Sequence, residues 1–315
     1  MTGRLKNESG FALILTLVIT ALMVAVLVEM IHQVYVDTSI SRGFRDGQQA
    51  SILAESGVTA VQKALSLGAD PTLLSTYLAQ PLSDDIGSLD IKISDESGKI
   101  NINALLLNDD SDYDLVIRDA LLQLTKGVKI TGDTWSNVLD SVADWIDKGG
   151  DPRSGGAESP YYLGNPKLKY RTHDGRLTTL TELSLVKGMT AEMLDTFVDE
   201  KKQFKLRDCL TIYPIQQFVK SNINVNSAPK PVLMALDASI SEQTADQIIN
   251  KRPFNGTGDF TRVRELDNLS RGNWSNRLTT TSNLFRIKSV AKVKESVRTV
   301  EAVVSNNVFL SWQEY

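Results

Sequence analysis

The longest apolar segment of the chain begins at Phe11 and runs to Val28 without a charged residue. As an α-helix, these eighteen residues would extend about 27 Å at ~1.5 Å per residue. Met30 and Ile31 continue the apolar character past Glu29. This brings the segment close to the ~30 Å thickness of a bilayer's hydrocarbon core. The pattern therefore predicts a single membrane-spanning helix over residues 11–31.

A cleaved signal peptide is the competing interpretation of this segment. Signal peptides have an apolar region of ~7–15 residues followed by a cleavage site with small residues. The run here is longer, and the stretch MIHQVYVD after it lacks paired small residues, so an anchor is favoured. Arg4 and Lys6 precede the run and predict a cytoplasmic N-terminus, although Arg42 and Arg45 follow at a distance and weaken that asymmetry.

Beyond the apolar run the pattern becomes amphipathic. Apolar residues recur at helical spacing with polar residues between them, namely Val34, Ile40, Ile52, Leu53, Val58, Val61 and Leu65. There is no proline before Pro71, and Gly68 is a plausible residue to end a helix. The sequence therefore predicts one long helix over residues 11–67.

The remaining chain mixes strand and helix patterns. Residues 89–95 alternate and predict a strand, the DESG stretch predicts a turn, and KININ predicts a second strand that closes a hairpin. Amphipathic helices are predicted over 112–127 and 134–147, followed by a helix–turn–helix over 178–204 with its turn at Lys187 and Gly188. A strand at INVN precedes two helices and a further short one, and a β-hairpin turning at Lys294 and Glu295 closes the chain. This order predicts an α+β protein.

The composition limits the chemistry that the chain can perform. The net charge is −4, so the sequence shows no basic surface for nucleic acid. Cys209 is the only cysteine, which excludes an internal disulfide and a cysteine-rich zinc site. His32 and His173 are the only histidines. Since His32 adjoins the membrane segment, the sequence argues against a catalytic Ser-His-Asp triad and a centre with several histidine ligands. We expect no enzymatic activity.

An acidic, glycine-rich loop over 144–162 is the main candidate for a metal site. Asp144 and Asp147 share one face of a predicted helix end, and Asp151 and Glu158 follow in a loop containing four glycines. Carboxylates and backbone carbonyls in a flexible loop suit Ca²⁺, although the loop lacks the EF-hand spacing. A solvated acidic loop is the alternative, and a glycosidase pair of carboxylates is disfavoured because only Tyr161 and Tyr162 could contact a sugar.

The stretch over 222–266 resembles a helix-hairpin-helix module, which often binds DNA phosphates at a helix N-terminus. Its hairpin, LDASIS, lacks the glycine of the DNA-binding form, and the charges around it are mixed. A helical pair used for packing is therefore the favoured interpretation. The sequence predicts no nucleic-acid partner.

The N-terminal region as a whole resembles a type IV pilin-like prepilin. Three features give this resemblance: a short basic leader that ends in Gly10, Phe11 directly after it, and an apolar helix that becomes amphipathic. The resemblance implies that a prepilin peptidase cuts between Gly10 and Phe11 and methylates the new N-terminus. Most members of the family have a glutamate at the fifth mature position, where this chain has Leu15. The K-type minor pseudopilins of type II secretion also lack that glutamate.

Six blocks extend this resemblance to the K-type minor pseudopilin family over most of the chain: DESGKININ, ADWID, GGAESPYY, LTELSLVKGMT, NINVNSAP and VLMAL, in the expected order. It implies a pilin-like β-sheet domain with a large inserted all-α domain. The expected parts are a leader (1–10), a transmembrane helix (11–31), its amphipathic continuation (32–68), a pilin-like αβ part (69–109), an inserted helical domain (110–210), a helix-hairpin-helix-like part (211–280) and a C-terminal β-hairpin (281–315).

The resemblance also implies a function and a set of ligands. It implies a subunit at the tip of the periplasmic pseudopilus, anchored in the inner membrane, with I- and J-type minor pseudopilins as partners. It further implies calcium held by Asp147, Asp151 and Glu158, with Asp144 as a further candidate, although Gly149 stands where the family tends to place an acid. The alternatives are a minor pilin of a type IV pilus and a membrane-tethered, DNA-binding helix-hairpin-helix protein.

Overall fold

The computed structural model describes residues 8–71, 73–74, 87–107, 112–128, 134–215 and 221–315. The predicted leader residues 1–7 and the predicted boundary at 109 and 110 lie outside this range. The described chain divides into two compact units. A helix–sheet unit comprises Met1–Ile93, Ile287–Val303 and Phe309–Tyr315, and a helical unit comprises Ser94–Arg286 and Val304–Val308.

Helix α1 spans Glu8–Ser66 and confirms the predicted single long helix. Its residues from Gly10 to Arg45 are exposed, whereas four apolar side chains further along face the core and are fully buried: Ala50, Ala54, Val58 and Val61. The helix ends as predicted at Gly68, whose φ of +83° is a conformation that glycine adopts without strain. The first half of α1 is therefore not packed against the core of its own unit.

The sheet of the helix–sheet unit has four strands in the order β1-β6-β7-β8. Their bounds are β1 Ser88–Asp95, β6 Leu284–Val293, β7 Ser296–Ser305 and β8 Val308–Glu314. Strands β6 and β7 form the predicted hairpin at Lys294, which has a φ of +52°. The sequence interpretation treated 281–315 as one hairpin and missed β8. Strand β8 was missed because the turn before it was not recognised. Asn306 and Asn307 form this two-residue turn, and both have positive φ.

Helix α1 packs closely against the sheet. A Cβ atom at Gly57 would lie 2.6 Å from the Ser289 Oγ atom and 3.0 Å from the Ile91 side chain, so the position requires glycine. Nearby, the ammonium group of Lys294 donates to both carboxylate oxygens of Asp46, at 3.1 and 3.0 Å. The hydrogen bond from Lys294 lowers the pKa of the Asp46 carboxyl. The β6–β7 turn is therefore tied to α1.

The helical unit contains eight α-helices among its described residues, and most of them are short. They are α2 Leu115–Thr125, α3 Trp135–Ile146, α4 Ser159–Gly164, α5 Ala191–Leu194, α6 Leu206–Cys209, α7 Lys230–Ala235, α8 Glu242–Asn250 and α9 Arg264–Arg271. Four 3₁₀ turns add Glu96–Gly98, Ile102–Ala104, Leu180–Leu185 and Thr257–Arg262. The helices predicted over 112–127, 134–147 and after INVN are confirmed.

Two predictions for this unit are wrong. KININ does not close a hairpin on β1, because β2 (Ile100–Asn101) pairs in parallel with β3 (Leu210–Thr211). The predicted helix–turn–helix over 178–204 is mostly a 3₁₀ turn and the single turn of α5. The second helix ends at Leu194, and the residues after it form a tight turn in which the carboxylate of Asp199 accepts from the backbone N–H groups of Gln203 and Phe204. Gly188 has the positive φ, +83°, expected of the predicted turn.

The unit repeats one arrangement twice. Strand β2 pairs with β3, and β4 (Ile223–Asn224) pairs in parallel with β5 (Leu278–Thr279). In the first copy the Asn103 side chain accepts from Leu177 N–H at 2.8 Å and donates to the carbonyls of Leu177 and Ile212, both at 2.9 Å. We call this set of three bonds the asparagine clamp of the first copy.

The second copy has a matching asparagine clamp. The Asn226 side chain accepts from Phe254 N–H at 2.8 Å and donates to the carbonyls of Phe254 and Thr280, both at 2.9 Å. Thr280 directly follows β5, as Ile212 directly follows β3 in the first copy. The two copies are also visible in the sequence, where KININALL and SNINVNSAPKPVL align and place Asn103 and Asn226 at equivalent positions.

A buried carboxylate lies between β1 and β2. The Glu96 side chain is fully buried and accepts from Lys99 Nζ at 2.5 Å, Thr211 Oγ1 at 2.5 Å and Arg286 Nε at 2.9 Å. Burial opposes ionisation, but the two cations outweigh it and lower the pKa of Glu96 to about 2. Glu96 is therefore ionised at neutral pH and joins three segments of the helical unit.

Candidate functional site

The predicted processing site lies on the exposed first half of α1. The Phe11 side chain is 71% exposed, and no atom lies within 4 Å of a Cβ built at Gly10. Helix α1 is long and apolar enough to cross a membrane, with a mean hydropathy of 3.0 over its best eighteen residues. Leu15, at the position where most pilin-like chains are expected to have glutamate, is also exposed. Within the described part of the chain, nothing covers this segment from a peptidase acting in the membrane.

The acidic loop brings two of its predicted ligands together. Asp144, in the last turn of α3, and Asp147, which caps that helix, are both buried. The guanidinium of Arg153 lies between them, because its Nη1 atom donates to Asp144 Oδ1 and Asp147 Oδ2, each at 2.6 Å. Burial raises the pKa of Asp144, and the bonds from Arg153 only partly offset this effect. Arg153 therefore supplies the positive charge between these two carboxylates.

Glu158 is the third carboxylate of the loop and its charge is poorly compensated. The residue is 4% exposed, and its buried Oε1 atom has no hydrogen-bond partner among the described residues. It precedes α4 without donating or accepting as a side-chain cap. Burial, and then the negative charges of Asp144 and Asp147, raise the pKa of Glu158 to about 7. A buried oxygen of this kind is an expected ligand for a cation.

The glycines of the loop bring its backbone close to these carboxylates. A Cβ atom at Gly156 would lie 1.8 Å from Asp144 Oδ2, and one at Gly155 would lie 2.3 Å from Asn137 Oδ1. The carbonyl oxygens of both glycines accept from Lys187 Nζ, at 3.0 and 3.1 Å. The loop thus supplies carbonyl oxygens next to carboxylates, as Ca²⁺ requires.

Asp151 is exposed, unlike the other three carboxylates of the loop. Among the described residues, no cluster of three or more histidine, cysteine, aspartate or glutamate side chains is arranged to hold one metal ion. The sequence interpretation also missed Arg153 and Lys187, which bind the loop's acids and carbonyls. The sequence did contain a signal for Arg153, since DPRSGG places an arginine among the acids. Calcium remains a prediction at this loop, where the structure brings Asp144 and Asp147 together around Arg153.

The helix-hairpin-helix segment carries acids where a phosphate would have to bind. The first turn of α8 presents Glu242, which accepts from Lys230 Nζ at 2.8 Å and pairs with Lys201 Nζ at 3.2 Å. Lys230 also pairs with Asp246 at 2.7 Å. Lys230 and Lys201 are therefore both engaged by carboxylates of α8. This geometry favours packing of the two helices over phosphate binding.

Comparison with known proteins gives consistent matches. Two family models, each described as type II secretion system (T2SS) protein K, match residues 98–198 and 223–281, which together are just over half of the chain. The type II secretion system protein K of Pseudomonas aeruginosa is 26% identical over 275 residues, covering 82% of this chain and 77% of that protein. The putative type II secretion system protein K of Escherichia coli K12 is 25% identical over 267 residues, covering 80% and 77%.

A solved structure shares the fold. It is described as the crystal structure of the GspK-GspI-GspJ complex from the enterotoxigenic Escherichia coli type 2 secretion system. It matches with a TM-score of 0.65 at 18% sequence identity, covering 87% of this chain and 99% of the matched chain. The first family model covers the acidic loop and Asn103, and the second covers Asn226 with both partners of its clamp. The chain belongs to the type II secretion system protein K family and is a minor pseudopilin component of that system.

Proposed function

We propose that this chain caps the tip of a periplasmic pseudopilus and helps to initiate its assembly, so that folded proteins are exported across the outer membrane. The observation that carries the proposal is Leu15 at the fifth position after Gly10 on an exposed α1. In a pilin-like helix, a glutamate at this position would pair with the terminal amine of a neighbouring subunit within the membrane. A subunit without this carboxylate has no means to receive that neighbour, which suits a terminal position.

The proposed partners are the I- and J-type minor pseudopilins. The fold likeness to a chain of the GspK-GspI-GspJ complex supports this choice. The exposed apolar half of α1 supplies a surface that would first lie in the inner membrane and then pack against the helices of other subunits. The globular part would lie in the periplasm. No catalytic step is required for this role, because packing and binding suffice.

The proposal includes processing by a prepilin peptidase between Gly10 and Phe11. The test is the intact mass of the chain from membranes, with and without the peptidase. The matched variants are Gly10→Val and Gly43→Val, since both glycines lie on exposed parts of α1 with no atom within 4 Å of an added Cβ. We expect wild type and Gly43→Val to begin at methylated Phe11, and Gly10→Val to keep its leader. A wild-type mass that does not respond to the peptidase would refute processing.

The tip position has its own test. Gold-labelled antibodies against the helical unit should mark one end of each assembled pseudopilus in electron micrographs. Labelling along the whole filament would contradict the proposal, because the chain would then be a repeating subunit. Deletion of the chain should also reduce the number of filaments more than their length, since the proposed role is in initiation.

We further propose that the acidic loop binds Ca²⁺ through Asp144, Asp147 and Glu158, with Asp151 completing the site from its exposed position. Arg153 would have to leave its place between Asp144 and Asp147. The bound ion would supply two positive charges next to three buried carboxylates and would order the loop. The orphaned Oε1 atom of Glu158 is the observation that supports it.

Calorimetric titration of the metal-free chain tests this site. We expect Ca²⁺ to bind with a stoichiometry of at least one and Mg²⁺ to bind more weakly, because Mg²⁺ demands a stricter octahedral geometry. Glu158→Gln should lose the binding. Glu200→Gln, an exposed glutamate of the same unit, should bind like wild type. Absence of Ca²⁺ binding by the wild-type chain would refute the calcium proposal and leave the pseudopilin role intact.

A further inference from the structure

The loop that follows α4 carries a cluster of exposed positive charges. We call residues 165–172 the basic loop, because Lys167, Lys169 and Arg171 lie within five positions of one another. All three side chains are exposed, and none of them forms an ion pair with another described residue. The whole chain has a net charge of −4, so this excess of positive charge is a local feature of the helical unit.

Other cations of the helical unit are paired with carboxylates. Lys205 and Arg207, for example, both pair with Asp195, at 3.0 and 3.1 Å. Asp174 is the acid that follows the basic loop most closely along the chain. Among the described residues, it forms no ion pair with the three cations of the loop. The unit therefore has acids of its own, yet the charges of this loop are available to another molecule.

The backbone of the basic loop is held in place before any partner arrives. The N–H group of Lys169 donates to the carbonyl of Tyr162 at 3.2 Å. The Tyr170 ring stacks on the ring of Tyr162 with centroids 5.3 Å apart, and its hydroxyl donates to the carbonyl of Leu185 at 2.7 Å. A loop that is fixed in this way loses little further entropy when it binds.

Apolar side chains are exposed next to these charges. Tyr161 and Leu163 of α4 are 46% and 47% exposed, and Leu185, whose carbonyl accepts from Tyr170, is 43% exposed. The Tyr161 ring packs edge-on against Tyr162 at 5.2 Å, which keeps it in position beside the loop. Tyrosine and arginine are both enriched at protein–protein interfaces. The surface thus combines free cations with apolar contact area.

The number and kind of these charges favour a protein partner. Recognition of anionic lipid headgroups calls for clusters of about 4–8 lysines and arginines, and this loop supplies fewer. Nucleic-acid recognition calls for a strongly basic domain, which this chain lacks. An acidic peptide segment needs only a few cations, and an arginine can bind a carboxylate through two parallel hydrogen bonds.

We propose that the basic loop binds an acidic segment of another protein. Carboxylates of that segment would pair with Lys167, Lys169 and Arg171, and an apolar side chain of the segment would lie against Tyr161 and Leu163. The inference goes beyond the proposed function and does not rest on it, because it uses only the charge, rigidity and exposure of residues within the helical unit.

A matched pair of double variants tests the proposal. Lys169→Glu/Arg171→Glu reverses two charges of the basic loop, and Lys202→Glu/Arg264→Glu reverses two charges elsewhere in the same unit. All of these side chains are exposed and have no ion-pair partner among the described residues. Lys169 and Lys202 also share nearly the same φ, +54° and +53°. The two variants therefore make the same change in net charge at similar sites.

The full chain in nanodiscs of neutral phosphatidylcholine is titrated with a fluorescein-labelled peptide of glutamates around a central leucine, and binding is followed by anisotropy. We expect wild type and Lys202→Glu/Arg264→Glu to bind equally. Lys169→Glu/Arg171→Glu should bind about tenfold more weakly, because two attractive pairs become repulsive. Added salt should weaken wild-type binding, since exposed charges are screened. Equal thermal unfolding of the two variants is the control for folding.

A second pair of variants leaves every charge in place. Leu163→Ala shortens an exposed side chain beside the basic loop, and Leu115→Ala makes the same change at a position of the helical unit that is 65% exposed. We expect Leu163→Ala to weaken binding of the peptide about threefold, because part of the apolar contact is lost. Leu115→Ala should bind like wild type.

Four results would overturn the proposal. The first is a wild-type chain that does not bind the peptide at low salt, and the second is equal weakening by both double variants, which would show a general attraction between charges. The third is binding of phosphatidylglycerol vesicles in place of the peptide, lost in Lys169→Glu/Arg171→Glu, because the loop would then recognise lipid. The fourth is self-association of the wild-type chain in detergent that the same variant abolishes, because the partner would then be a second copy.

Discussion

The buried Glu96 carboxylate makes the stability of the helical unit depend on pH in a calculable way. Its pKa is lowered from 4.5 to about 2 because Lys99 and Arg286 favour the charged form more strongly than burial opposes it. A shift of about 2.5 units corresponds to roughly 3 kcal/mol of folding free energy. Because the folded pKa is the lower one, this stability is fully present above pH 4.5. It is lost as the pH falls from 4.5 towards 2.

The assay is chemical denaturation of wild type and Glu96→Gln at pH 6 and pH 3. At pH 6 the variant should be less stable by about 3 kcal/mol or more, since Lys99 and Arg286 lose their buried partner. At pH 3 the unfolded wild-type chain binds a proton at this group and the folded chain largely does not, so about 2 kcal/mol of the difference should disappear. Glu200→Gln, an exposed glutamate of the same unit, should match wild type at both pH values.

A gap between wild type and Glu96→Gln that stayed constant from pH 6 to pH 3 would refute the lowered pKa of Glu96. In that case the carboxylate would have the same pKa in both states, and the bonds to Lys99 and Arg286 would contribute through packing alone. A gap that widened at low pH would reverse the sign and show that Glu96 is protonated in the folded chain.

Two further predictions concern close-packed positions. Asn103→Ala removes the partner of three buried backbone groups of Leu177 and Ile212. Urea denaturation should therefore show a free energy of unfolding lower by roughly 3 kcal/mol. Asn250→Ala, at an exposed position, is the control, and an equal effect of both substitutions would contradict the role of the clamp. Gly156→Ala would place its Cβ 1.8 Å from Asp144 Oδ2 and should lower stability by about 1–3 kcal/mol. Gly150→Ala has open space and should be neutral in the same thermal scan.

Much of the fold could be predicted from local pattern. The long α1, its end at Gly68 and the turn at Lys294 each depend on a residue's own conformational preference or on regular apolar spacing. Pairings between distant segments could not be predicted in this way. The β2–β3 pair joins Ile100 to Leu210, and two-residue strands carry too little alternation to identify a partner more than a hundred residues away.

For the acidic loop, the residue types could likewise be interpreted from the sequence, whereas the arrangement of the side chains could not. Carboxylates among glycines indicated a site for a cation, and the structure brings Asp144 and Asp147 together. Sequence alone could not show that the Arg153 side chain lies between them, or that Glu158 is buried with an unpartnered oxygen. Those features depend on how the chain after α3 folds back, which no local periodicity encodes.

The two asparagine clamps have a consequence for the order in which the helical unit folds. Asn226 reaches Thr280 across 54 residues, whereas Asn103 reaches Ile212 across 109. Loop closure becomes less favourable by only ~0.6 kcal/mol per doubling of length, so both copies are thermodynamically accessible. Contacts between nearer residues nevertheless form faster. The second copy should therefore close first and give the first copy a formed surface on which to assemble.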